Sequence, residues 1–92
     1  MSLTIWKAVL EFEGEQVIEV PKGADLLCAR GQYDKIAVWF RCDPGAPNEN
    51  RTILICGTGH PTAPLPSCSR YLGTAALDGG QLMFHIFDIT NY

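Results

Sequence analysis

Apolar residues fall at every second position in segment after segment, and clusters of Gly, Pro, Asp or Asn interrupt the pattern before any run is long enough for a helix. In residues 4–12, TIWKAVLEF, Trp6, Ala8, Leu10 and Phe12 lie on one side and Ile5, Lys7, Val9 and Glu11 on the other, a period of two rather than 3.6. Glu13-Gly14-Glu15 reads as a tight turn into QVIEV at 16–20, which predicts a hairpin, and Pro21-Lys22-Gly23 ends it. Residues 24–34 form a third predicted strand, with Gly31 at a bulge or in the following turn. KIAVWFRC at 35–42 is the most amphipathic, with Ile36, Val38 and Phe40 opposed to Ala37, Trp39 and Arg41.

Residues 43–48, DPGAPN, cannot continue a ladder, because proline lacks an N–H and Asp, Asn and Gly favour turns. TILIC at 52–56 is apolar on both faces and predicts a fifth strand. GTGHPTAPLPSC at 57–68 predicts an irregular surface segment. RYLGTAAL at 70–77, a turn at Asp78-Gly79-Gly80 and QLMFHIFDI at 81–89 complete the pattern. About seven short strands without a capped helical period predict an all-β fold: a small single-domain antiparallel meander over residues 1–92, closed as a barrel or sandwich.

Strands with two apolar faces need cover on both sides. Hydrophobic residues make up 47% of the 92 and charged residues 18%, against about 25% charged in an average soluble domain. This balance predicts a homo-oligomer, with a second copy covering part of the surface. The net charge is −3 and the seven Lys and Arg residues are scattered, which disfavours nucleic-acid binding, a function that needs a concentrated basic face. No apolar run approaches the roughly 20 residues of a membrane-spanning helix, and the start lacks a basic-then-apolar leader. The expectation is a soluble intracellular protein that contacts no membrane.

Cysteines stand at 28, 42, 56 and 68, none in a C-x-x-C pair, so buried reduced thiols are expected rather than a zinc ribbon, a redox motif or a disulfide. No metal or other cofactor is expected.

The stretch with most chemical potential is Gly57-Thr58-Gly59-His60-Pro61, at the end of the fifth predicted strand. Glycines let successive N–H groups converge on an anion, Thr58 adds a hydroxyl, and His60 adds an imidazole. Without a lysine or a following helix it is not a P-loop, and a plain turn that caps the strand end is the reading its residues favour over a ligand-binding loop. Arg41 and Arg51 stand at strand ends, where they could clamp a phosphate or carboxylate, and Tyr71 or Trp39 could stack on a ring. The candidate ligand-binding set is therefore Arg41, Arg51, Gly57, Thr58, Gly59, His60 and Tyr71. His85, between Phe84 and Ile86, reads as a packed or interfacial histidine. A Cys56 or Cys68 nucleophile paired with either histidine has no supporting spacing, and no catalytic residue is assigned.

The motifs T-I-W-K at the start, P-K-G-A from Pro21, Asp43-Pro44 with a proline-containing turn, G-T-G-H-P and a closing F-H-x-F give the chain a further character. They resemble a family of short uncharacterised proteins of tailed bacteriophages and prophages, over nearly the whole length. The resemblance implies a phage or prophage setting in the bacterial cytoplasm and brings no assigned activity. Three expectations follow: a non-enzymatic accessory protein that binds a small anionic or nucleotide-like ligand, as in sequestration of a host defence signal; an interaction module for a host or phage protein; or an enzyme using His60 on a nucleotide or sugar.

Overall fold

The computed structural model describes residues 2–11, 14–61 and 65–90. Seven strands run in the order β1 (Thr4–Leu10), β2 (Gly14–Pro21), β3 (Asp25–Gln32), β4 (Lys35–Cys42), β5 (Asn48–Gly57), β6 (Arg70–Leu77) and β7 (Leu82–Asp88). A single turn of 3-10 helix, Asp78–Gly80, joins the last two. The strands build two antiparallel sheets, one ordered β1-β4-β3 and the other β2-β5-β7-β6.

Alternation decides which side chains face inward. Ile36, Val38 and Phe40 of β4, Ile53 and Ile55 of β5, and Phe84 and Ile86 of β7 enter one core shared by both sheets. Leu26, Ile36, Ile53, Ile55 and Ile86 are fully buried, each stabilising the fold by about 1.5–3 kcal/mol relative to exposure. The shortest dimension of the Cα trace is 15 Å, the thickness of two sheets stacked face to face.

Only β3–β4 and β6–β7 pair with their neighbours in sequence. The first is a two-residue hairpin in which Tyr33 and Asp34 both take positive φ, 51° and 58°, as a turn matched to strand twist requires. The expected β1–β2 hairpin does not form: β1 pairs with β4, and β2 pairs with β5 in the other sheet. The chain instead passes from one sheet to the other, and the Gln16 side-chain oxygen accepts from the Glu11 amide at 2.9 Å. Of the expected turn, Glu13 lies outside the described residues, as does Phe12 at the end of the first predicted strand. Strand β5 begins at Asn48 rather than Thr52, because the polar segment 48–51 is drawn into the ladder by Ile18–Pro21 of β2.

Along one side the sheets meet where β3 and β6 lie together. Backbone passes against backbone there: a Cβ at Gly31 would sit 2.7 Å from the carbonyl oxygen of Ala76, and one at Gly73 would collide with the carbonyl oxygen of Ala29. Gly31 is thus a close-approach residue inside a strand, and the β3 bulge falls at Leu27 instead. A second bulge sits at Leu72 of β6. Asp34 of the β3–β4 turn accepts from the Asp78 amide at 2.9 Å, stapling the two hairpin tips together. On the far side β1 and β2 are free edges among the described residues.

Candidate functional site

At the end of β5 the ladder continues one step past Gly57, where the Thr58 amide donates to the Met83 carbonyl at 3.1 Å. The chain then reverses, with the His60 amide donating to the Gly57 carbonyl at 3.1 Å. Gly59, at φ 83°, occupies the third position of this four-residue turn, where a positive φ selects glycine. The GTGHP break is therefore a β-turn, and its local geometry places the Thr58 side chain over β7.

There it meets a histidine. Thr58 Oγ1 lies 2.6 Å from Nε2 of His85, and Thr74 Oγ1 lies 3.2 Å from Nδ1 of the same ring. The Tyr71 hydroxyl bonds Thr74 Oγ1 in turn, and the Tyr71 ring packs against Phe87 at 5.6 Å between centroids. Four groups, one from the turn after β5 and the others from β7 and β6, thus form one hydrogen-bonded row on the outer face of the four-stranded sheet. Sheet register produces the row, since Cys56 and Thr74 are the cross-strand neighbours of His85 on either side.

Neutral imidazole has one N–H and one bare nitrogen, so the row is satisfied in either of two senses. In one, protons point from Tyr71 toward Thr58. In the other, Thr58 donates to His85, His85 to Thr74, and Thr74 to Tyr71.

A hollow of about 280 Å³ opens beside this row, lined by Cys56, Thr58, Gly59, His60, Leu65 and Phe87 among others. A second, of about 400 Å³, lies on the other side of the turn against Gln81, Leu82 and Met83. The turn stands as a partition between them.

Of the residues expected at a site, Gly57, Thr58, Gly59 and His60 come together, and Tyr71 joins them through Thr74 and His85. Arg41 does not join them. It lies on the outer face of the three-stranded sheet, in register with Ile5 and Asp25. Arg51 is also elsewhere, six residues back along β5 from Gly57 and therefore about 20 Å away. It is 6% exposed, with Nη2 2.5 Å from Asp88 Oδ2, Nη1 donating to the Ala24 carbonyl at 2.9 Å and Nε donating to Thr90 Oγ1 at 3.3 Å. It ties β5 to β7 and to the β2–β3 turn, and it lines neither of the two hollows beside the Gly57–His60 turn. Arg70 is paired with Asp25 at 3.5 Å across the seam.

Sequence reasoning undervalued His85, Thr74, Cys56, Phe87 and Leu65. Period-two parity sets His85 opposite Phe84 and Ile86, but both faces of that run are apolar, so it reads as a packed or interfacial histidine and parity could not say which strands would flank it.

Burial raises the Asp88 carboxyl, but bonds from the Thr90 hydroxyl and amide and the Arg51 guanidinium outweigh it and hold the group below the usual range. Burial, and then Asp43, push the Cys42 thiol up, which keeps it neutral and unreactive. Cysteines 28, 42, 56 and 68 form no disulfide; Cys42 is buried as expected, whereas Cys28 and Cys56 are half-buried and Cys68 is exposed. Among the described residues no group of three or more His, Cys, Asp or Glu is placed to hold a metal ion, and no helix is long and apolar enough to cross a membrane.

No curated protein and no solved structure matches the chain. A family model does match, over residues 1–91, and by that match the chain belongs to the DUF7352 family, described as a domain of unknown function.

Proposed function

We propose that the protein is a non-enzymatic binding module that holds a small ligand at the Gly57–His60 turn, working as a homo-oligomer. The hollow of about 280 Å³ between that turn and the sheet is the observation that carries this reading. Its walls supply a flat apolar surface, Phe87 and Leu65, and a polar end, Thr58, His60 and His85. This combination suits a planar ring bearing one polar or anionic group. Arg41 and Arg51 both lie outside the hollow, so a polyphosphate would meet neither guanidinium. A nucleoside-like or aromatic carboxylate ligand fits better than a nucleotide triphosphate. In the phage setting that the sequence resembles, such a module would act by sequestering a host signal.

A panel of nucleosides, nucleoside monophosphates and aromatic carboxylates, followed by thermal shift and titration calorimetry, tests this. A ligand that raises the melting temperature should lose at least tenfold in affinity with His60→Ala, while the oligomer persists. Unchanged affinity in that variant would remove the turn from the site.

The free edge of β1 supports a second reading, an interaction module. Ile5 and Val9 are 57% and 55% exposed beside its unpaired backbone, and Trp6 is exposed on the other face. An edge of this composition is a template for strand addition, either by a second copy or by a host or phage protein. Native mass spectrometry separates the cases. Dimers lost with Val9→Lys favour self-pairing, and monomers that capture one stoichiometric protein favour the interaction module.

A further inference from the structure

The row that ends at Thr58 has the parts of a nucleophile and its base. We infer that the Thr58 hydroxyl is a primed nucleophile for activated acyl compounds, with His85 as its proton acceptor, so that the hollow captures an electrophilic carbonyl covalently. The inference rests on the reading of the hollow as a ligand site.

The geometry supports it at three points. Thr58 is exposed at the wall of the hollow, with Oγ1 2.6 Å from His85 Nε2, within the reach that a nucleophile and base require. His85 is held from behind, because Nδ1 is bonded to Thr74 and Thr74 to Tyr71, which fixes both the ring plane and, in one sense of the row, the tautomer that leaves Nε2 bare. Thr74 and Tyr71 are positioning residues in this arrangement. Third, the Gly59 amide follows Thr58 in the chain and bonds no described residue. A donor in that place is suited to an oxyanion.

The step balances without a further reactant. The Oγ1 lone pair attacks the ester carbonyl carbon, a C–O bond forms, and the carbonyl oxygen takes up negative charge beside the Gly59 amide. The Thr58 proton passes to His85 Nε2. Collapse breaks the bond to the leaving alkoxide or phenoxide, which takes that proton and departs as the alcohol. Thr58 is left as an ester of the acyl group. Leu65 and Phe87 line the hollow and suit a short apolar acyl chain.

The test is incubation of the full chain with p-nitrophenyl butyrate, read by phenolate release, intact mass and peptide mapping. The expected result is one butyryl group on Thr58, absent in Thr58→Val and formed about 10²-fold more slowly in His85→Gln, as loss of a general base predicts. Both variants should keep the wild-type circular dichroism. Three results would overturn the inference: no butyryl group on Thr58 in the wild-type protein, modification only of Cys56 or Cys68, or an unchanged rate in His85→Gln. A wild-type protein that binds ring ligands reversibly in calorimetry yet gains no Thr58 adduct would end this inference alone and leave the binding reading intact.

Discussion

The two ends of β5 put similar residue types to opposite use. At Arg51 a charged side chain is drawn inside, neutralised by Asp88 and tied to Ala24 and Thr90, so that each of its three nitrogens donates within the protein itself. At Thr58 and His60 the chain turns outward, and the polar groups gather around a hollow. Strand parity separates the two cases. Arg51 shares the inward parity of Ile53 and Ile55, whereas Thr58 lies beyond the last inward residue, Gly57. A polar residue in a strand acquires a structural role when its parity points to the core, and it remains available for chemistry when the strand has ended.

Breaking the closed end should have the largest effect. Arg51→Met leaves Asp88 buried without its partner and should cost about 3–5 kcal/mol, whereas replacing both with well-packed apolar residues should recover much of that loss. Urea unfolding of the two variants measures the difference. Next in size is the seam that supports the open end from behind. Gly73→Ala drives a methyl group into the Ala29 carbonyl and should cost about 1–3 kcal/mol by the same measurement.

Acid sharpens the contrast further. The folded carboxyl of Asp88 titrates below its unfolded value, so its contribution is fully present above the unfolded pKa and is lost as pH falls through the folded one. Urea midpoints should therefore drop on acidification, and Asp88→Asn should flatten that drop. The smallest stability effect belongs to the open end. Thr58→Val should stay within about 0.5 kcal/mol of the wild type, because it is an exposed position, while removing reactivity toward the acyl probe. A large loss of stability there would mean that the Thr58–His85 bond holds the fold together, and the contrast between the ends would fail.

The positions of the strands were legible because a period of two is a local property. KIAVWFRC and RYLGTAAL became β4 and β6 with the expected bounds. Partners were less legible, because Glu13-Gly14-Glu15 signals only that the chain bends, and a bend into a second sheet looks the same as a hairpin. The closing of β6 onto β7 was readable because Asp78-Gly79-Gly80 sits between two runs of similar length. The turn at GTGHP was equally readable, since Gly59 meets a backbone requirement within four residues. The meeting of Thr58, His85, Thr74 and Tyr71 was not, because it depends on the register between β5, β7 and β6. The outcome for Arg51 could have been read from its parity with Ile53 and Ile55, a signal outweighed by its place at a predicted strand end.

The staple between the two hairpin tips bears on the order of assembly. Hairpins β3–β4 and β6–β7 close over the shortest turns in the fold. The Asp34–Asp78 contact spans 44 residues, more than any residue pair of β2–β5 or β5–β7. Loop-closure entropy therefore makes the staple a late contact, one that locks two finished hairpins together rather than starting their assembly.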